Sequence, residues 1–221
     1  MNRALDSAGF VITDPILSDE ECSVVTEHLS RGGPIGARNL LQLDWCVTLA
    51  RRIVRDPAVA AAVSQSAVPV QCTAFEKSPQ RNWLVSLHQD LSIPVAEQVS
   101  HPELTGWSQK EGVLYAQPPA AVLEQLVAVR VHLDPCRPDD GSLRVVAGSH
   151  SRGRITDVEA LALRDRAGEI ECAVARGAVL IMRPLLLHAS SKLKGNHVRR
   201  VLHFLFGPRE LPFGLRWANA L

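Results

Sequence analysis

The sequence predicts a mainly β fold with flanking helices, a double-stranded β-helix of the jelly-roll, cupin-like kind, and three observations carry that prediction. From position 68 onward, apolar runs of roughly four to eight residues are separated by clusters of Gly, Pro and Asp, the pattern left by short antiparallel strands. The first third instead carries helix-opening signals. A length of 221 residues suits one well-cored domain and is short for two.

Taken in order, Gly9-Phe10-Val11-Ile12 reads as a short first strand. Ser18, followed three residues later by Glu21, has the form of a capping box and opens a helix to about Ser30. The glycine content of residues 31–36 marks a loop, a second helix covers 43–54, and a third begins near Asp56-Pro57, where proline suits the first turn. A helical prelude therefore occupies 1–67 and the jelly-roll core 68–221. Core strands are predicted at 70–76, 83–93, 126–134, 143–146, 169–174, 178–182, 185–189 and 199–206, with helices on one outer face. Residues 94–124, broken by Pro102, Gly106, Gly112, Pro118 and Pro119, form an excursion from that core. So long an interval in a compact domain often borders a binding site, as a lid does.

Composition removes several classes of function. Lys and Arg total 24 against 23 Asp and Glu, so there is no overall basic field to gather nucleic acid. The first ten residues lack the basic start and apolar run of a signal peptide, and no stretch approaches the ~18 apolar residues of a membrane span. The expectation is a soluble, cytoplasmic protein with a small-molecule substrate and neither nucleic acid nor membrane as partner. No feature selects an oligomeric state. Cys22, Cys46, Cys72, Cys136 and Cys172 are scattered, odd in number and free of Cys-x-x-Cys pairs, and so read as buried reduced thiols.

The chemistry is carried by histidine and aspartate. In the strand-like run ending Leu87-His88-Gln89-Asp90, alternation puts His88 and Asp90 on one face, where both can meet one ion. His188, ending the apolar run Leu185-Leu186-Leu187, offers a third ligand. Two imidazoles and one carboxylate on one face of an octahedral ion leave three positions open, the arrangement of non-haem Fe(II) oxygenases. A chelating oxoacid takes two of them and O2 the third. His132 and Asp134 repeat the His-x-Asp spacing, so spacing alone leaves both pairs open. Asp134, however, precedes Pro135 and a turn-rich Pro138-Asp139-Asp140-Gly141, a setting where aspartate usually bonds backbone amides. An oxoacid such as 2-oxoglutarate presents a free carboxylate to an arginine fork, and Arg199 or Arg200 suits that role.

Several ordered segments together resemble the phytanoyl-CoA dioxygenase family, particularly its small bacterial members. They are Arg38-Asn39-Leu40-Leu41, the run from Phe75-Glu76-Lys77-Ser78-Pro79 through Trp83 to Leu87-His88-Gln89-Asp90, Gly141-Ser142-Leu143-Arg144-Val145-Val146-Ala147-Gly148-Ser149-His150, and Met182-Arg183-Pro184 through His188-Ala189-Ser190-Ser191. Ala147 stands where the family more usually has proline. The resemblance implies Fe(II) held by His88, Asp90 and His188, with these residues catalytic. It also implies 2-oxoglutarate as co-substrate on Arg199, which lies eleven residues beyond His188, with Ser190 bonding the same carboxylate. It further implies O2-dependent conversion of 2-oxoglutarate to succinate and CO2, coupled to hydroxylation of an unactivated C–H of a small metabolite or natural-product intermediate. Related halogenases carry a small residue at the carboxylate position, so Asp90 points to hydroxylation, although desaturation, epoxidation or ring closure would use the same ligands.

Lys77 and Asn82 flank the metal strand and are candidates for 2-oxoglutarate contact, against readings as a surface charge and a turn former. Trp107 and Gln117, with Lys110 and Tyr115, fall in the excursion and are candidates for the substrate side. Arg130 shares one strand face with His132 and Asp134, a polar stripe that suits substrate contact. His150 reads as a turn residue and His203 as a core histidine, while His28, His101 and His197 have no arrangement around them. Two other functions compete: a non-catalytic jelly-roll sensor of metal or oxoacid, and a cupin-type metal enzyme using His132 and Asp134 without 2-oxoglutarate.

Overall fold

A computed structural model of the chain describes residues 3–32 and 37–219. Of the loop predicted at 31–36, the first two residues continue helix α2, and 33–36 lie outside the described residues. The helices are α1 (Arg3–Ala8), α2 (Asp19–Gly32), α3 (Asp44–Ile53), α4 (Pro57–Ala60), α5 (Ala120–Leu123) and α6 (Asp157–Ala167). The strands are β1 (Phe10–Ile12), β2 (Val68–Lys77), β3 (Val85–His88), β4 (Ile93–Val95), β5 (Thr105–Lys110), β6 (Val113–Gln117), β7 (Val127–His132), β8 (Leu143–Val145), β9 (Ile170–Cys172), β10 (Val179–Met182), β11 (His188–Ser190) and β12 (Arg199–Gly207).

The helical prelude forms as its caps dictate. Ser18 Oγ accepts from the Glu21 amide at 3.1 Å while Glu21 accepts from the Ser18 amide at 2.8 Å, closing the capping box of α2. Asp56 accepts from the Ala58 amide at 2.9 Å, and Pro57 opens α4. These helices cover one face of an antiparallel sheet ordered β1-β10-β7-β12-β2.

Strand alternation divides β12 between two jobs. Leu202, Phe204 and Phe206 pack with Leu49, Ile53, Val129 and Ile181 under the helices, and each such buried side chain contributes roughly 1.5–3 kcal/mol. The intervening Arg199, His203 and Leu205 face the opposite way, toward a second antiparallel sheet ordered β3-β11-β8-β9. Leu143, Val145, Leu180, Met182 and Leu205 fill the space between the two sheets. This is the jelly-roll arrangement, mixed with flanking helices, that the strand pattern predicts.

Two strand expectations are corrected, and further elements come to light. The run 83–93 is two strands, β3 and β4, parted by a turn in which the Asp90 amide donates to Pro184 O at 2.9 Å instead of to a neighbouring strand. The run 185–189 is strand only from His188, because Arg183 and Leu186 close a turn with a 3.0 Å bond. Within the excursion 94–124, β4, β6 and β5 form an antiparallel sheet, followed by α5, elements the sequence pattern did not show. Helix α6 was not expected at all, although Thr156 and Glu159 form a complete capping box at its start. All five cysteines are buried and free.

Candidate active site

The pairing of β3 with β11 sets His88 directly opposite His188, with ring centroids 4.2 Å apart. Asp90, in the turn after β3, completes the group. Its Oδ1 lies 3.7 Å from His88 Nε2 and its Oδ2 3.8 Å from His188 Nε2. One donor atom from each residue falls within 4.8 Å of the others, and among the described residues no other cluster of three such groups meets that test. Each histidine places Nδ1 2.8 Å from a backbone carbonyl, His88 on Ser86 O and His188 on Leu186 O. In the neutral rings those bonds hold the proton on Nδ1 and leave the Nε2 lone pairs aimed toward Asp90. Burial holds His188 down to about 4, against the pull of Asp90. Burial would raise the Asp90 carboxyl, but His188 and His88 overcome it and hold the group well below the usual carboxylate range. A deprotonated carboxylate and two free imidazole lone pairs are the donor set of an octahedral 2-His-1-carboxylate Fe(II) site, so these residues fit the metal.

The group opens on a cavity of about 370 Å³. At the end away from His88, Arg199 and Lys77 stand opposite one another across β12 and β2. Lys77 Nζ donates to Ser190 Oγ and to Ser191 O. Lys77, Ser190 and Arg199 are all buried, and all line the cavity. Burial pushes the Lys77 ammonium down to about 8, with Arg199 and Arg130 adding to the effect. Arg199 Nε has no hydrogen-bond partner. Two buried cations and a hydroxyl with no carboxylate among them fit the free carboxylate of 2-oxoglutarate.

Arg200 is turned away. Its Nε and Nη2 hold Asp134 in a fork at 2.7 Å each, and its amide adds a third bond at 2.9 Å. That fork separates Arg199 from Arg200 and also consumes Asp134. His132 is buried with neither ring nitrogen bonded, its pKa driven well below the ordinary value by burial and by Arg130 and Arg199. The second His-x-Asp pair thus forms no metal cluster, which removes the cupin-type alternative.

The other candidates divide. Arg130 and His203 line the cavity, as do Lys110 and Tyr115 from the excursion. Asn82 does not; its amide is bonded in both directions to the backbone of Leu193, at 2.7 Å each, and pins that loop. Trp107 packs against the apolar cluster between the sheets, and Gln117 accepts from Arg154 and lies over Gly106, so neither reaches the cavity. Sequence reasoning missed Gln71, Thr73 and Phe75 on the cavity wall. Counting back from Lys77 in steps of two along a strand would have found them. It also missed Gln89, whose amide donates to Gly153 O at 2.8 Å and Leu185 O at 2.7 Å and accepts from the Ile155 amide at 2.9 Å, bracing the turn between the two ligands.

A family model for phytanoyl-CoA dioxygenase (PhyH) matches residues 5–201. The chain belongs to the phytanoyl-CoA dioxygenase family. With the metal cluster, membership makes the protein an oxygenase dependent on Fe(II) and 2-oxoglutarate. Among solved structures, HygX from Streptomyces hygroscopicus with nickel and 2-oxoglutarate bound is 20% identical at a TM-score of 0.63, over 92% of this chain and 84% of that one. AviO1 from Streptomyces viridochromogenes Tue57 is 18% identical at 0.61, over 95% and 94%. The epimerase SnoN from nogalamycin biosynthesis is 14% identical at 0.67, over 99% and 87%. At such identities the likeness concerns the fold. No curated protein sequence matched the chain. Among the described residues of this phytanoyl-CoA dioxygenase family member, no helix is long and apolar enough to cross a membrane.

Proposed function

We propose that this chain binds Fe(II) through His88, Asp90 and His188, receives 2-oxoglutarate with its far carboxylate on Arg199, Lys77 and Ser190, and hydroxylates an unactivated C–H of a small metabolite or natural-product intermediate. The observation that carries this reading is one cavity with a three-ligand cluster at one level and a carboxylate-free pair of buried cations at another. Neighbouring folds described as a carbocyclase and an epimerase of nogalamycin biosynthesis, and as HygX with hygromycin B bound, support a natural-product setting. The reaction proposed is hydroxylation: Asp90 in the carboxylate position opposes halogenation, while desaturation, epoxidation and ring closure would use the same three ligands. We read the chain as one domain, since both large apolar clusters draw on β7, β10 and β12. The absence of a nucleic-acid partner accords with the balanced charge, and a cytoplasmic location is part of the same proposal.

Fe(II), 2-oxoglutarate and O2 together supply the oxidising power, with succinate and CO2 as by-products. The chain's own residues do the rest. Ser86 O and Leu186 O fix the imidazole tautomers, and the Gln89 brace fixes the turn that presents Asp90. Arg199 offers a planar fork to the co-substrate's carboxylate, and Lys77, steered by Ser190 and Ser191, adds a second positive charge. Phe75 and Leu143 supply apolar wall that limits water around the reacting C–H.

The test is an anaerobic titration of apo-protein with Fe(II) and then 2-oxoglutarate, following the visible charge-transfer band of the chelate. The band is expected in wild type and His132→Ala and not in His88→Ala. A wild type that binds metal but gives no band would remove the oxoacid mechanism and favour a sensor.

A further inference from the structure

The cavity holds more positive charge than the metal and co-substrate can use. Its wall carries Arg38, Lys77, Lys110, Arg130 and Arg199 against a single carboxylate, Asp90. Adding Fe(II) and 2-oxoglutarate brings two positive and two negative charges and leaves the excess where it was. Arg38 has Glu111 at 3.5 Å, and Arg199 and Lys77 share the end that receives the co-substrate. Lys110 is exposed and lies 5.1 Å over the Tyr115 ring, which leaves Arg130 as the buried cation without an assigned counter-charge. It is only 8% exposed, forms no ion pair among the described residues, and its Nε has no hydrogen-bond partner.

Arg130 is nevertheless held in place. Its Nη1 lies 2.9 Å from His203 Nδ1, and its guanidinium sits 5.6 Å from the centre of the Phe75 ring. His203 meets the same ring edge-on at 6.0 Å. Burial holds His203 down to about 3, so the ring is neutral and Nδ1 accepts from the guanidinium. Across the sheet, Arg130, His203 and Thr73 occupy one row. Thr73 accepts from Gln71 at 3.0 Å, and Gln71 also donates to the Tyr115 hydroxyl at 3.2 Å. This row lies four residues along β12 from Arg199, about 13 Å of strand. Arg199 and then Asp90 are the charges that act most on Arg130, so its guanidinium stands in electrostatic reach of both the co-substrate end and the metal ligands while its backbone row is separate from that of Arg199.

A rigid, desolvated guanidinium with an unused donor and no anion of the protein is costly unless a ligand supplies one. We propose that Arg130 anchors a carboxylate of the primary substrate, so that this oxygenase acts on a small organic acid held by Arg130 with His203 and Phe75 as its supports. The inference rests on the functional reading above and names the substrate class of that site.

The test uses the full chain loaded anaerobically with Fe(II) and 2-oxoglutarate, with hexanoate and benzoate as probes against hexanamide and benzamide. Binding is read from perturbation of the charge-transfer band and from the melting temperature. In wild type the acids should saturate at concentrations on the order of tenfold below their amides. Arg130→Met should erase that difference while the band still forms with Fe(II) and 2-oxoglutarate. Arg130→Lys, which retains the charge without the fork, should keep part of it and guards against a folding artefact. Acids and amides that bind alike in wild type, or a difference that survives Arg130→Met, overturn the inference. So do acids that bleach the band by displacing the co-substrate. Loss of the chelate in Arg130→Met would assign Arg130 to 2-oxoglutarate instead. A wild type that forms no band is a separate result, which refutes the functional reading and this one with it.

Discussion

Replacing Arg199 with methionine should move affinity and stability in opposite directions. Arg199 is 4% exposed, has an unbonded Nε, and has Lys77 directly across the strand pair. The strain between them is visible in Lys77, held at about 8 instead of 10.5 by burial first and Arg199 next. That shift corresponds to roughly 3 kcal/mol of unfavourable charge burial. Arg199 contributes part of it and carries its own desolvation besides. Methionine fills similar volume without charge, so the apo-protein should gain about 1 kcal/mol, or about 2–4 °C in melting temperature for a chain of this size. The same change removes a charge-assisted fork worth roughly 1.5–3 kcal/mol, weakening 2-oxoglutarate binding by roughly 10- to 150-fold. Anaerobic chelate titration and calorimetry on one preparation measure both. Leu202→Ala, three positions along on the helix-facing side of the strand, is the converse control: it should lose roughly 2–5 kcal/mol and leave 2-oxoglutarate affinity unchanged. An Arg199→Met protein that binds 2-oxoglutarate within threefold of wild type, or melts lower, would refute the reasoning.

Other expectations follow from the same geometry. Free Lys77 loses its proton above about 8, whereas a bound carboxylate favours the ammonium. Below that pH the group is charged with or without ligand. As pH rises past it, binding must take up a proton, so 2-oxoglutarate affinity should weaken by up to about tenfold per unit, and Lys77→Met should flatten the titration. His203 is held at about 3 against an ordinary 6.5. The stability this depressed pKa contributes is present above 6.5 and lost as pH falls toward 3, with roughly 3 kcal/mol gone by pH ~4. Urea midpoints across that range should fall in wild type and fall less in His203→Gln. Gln89→Leu strands three backbone partners and should cost about 3 kcal/mol and weaken Fe(II) binding as well. A loss under about 0.5 kcal/mol in urea unfolding would mean the brace is ornamental.

What the sequence made legible was local. His88 and Asp90 are two apart, and His188 sits at a strand end, so alternation and donor chemistry suffice to propose them. The residues alone left Arg199 and Arg200 open and the family resemblance favoured Arg199; the register of β12 supplies the physical reason, since adjacent residues face opposite sides and Arg200 is the one turned to Asp134. The rival His132 and Asp134 had the right spacing, and it is the Arg200 fork on Asp134, with cations beside His132, that disqualifies them. Helix α6 escaped because Val158 and Leu161 are exposed while Ala160 and Leu163 are buried, which blurs the helical stripe. Strand β5 escaped because Thr105–Lys110 is polar and exposed or half-exposed throughout, with no alternation to read. Gln89 has no local signal at all: its partners are 64, 66 and 96 residues away.

Strand β3 has one remaining consequence. It is four residues long, lies at the margin of its sheet, and has a hydrogen-bonded neighbour on one side only. Such a strand is ordinarily the first part of a sheet to fray. Yet His88 ends it and Asp90 follows it, while the third donor belongs to the neighbour that holds it. An ion shared among the three ties the loose margin to its partner where the ladder stops, a clasp on the hem. Metal loading and closure of the barrel's rim are then a single event, and an enzyme stripped of iron has lost a fastening as well as a reagent.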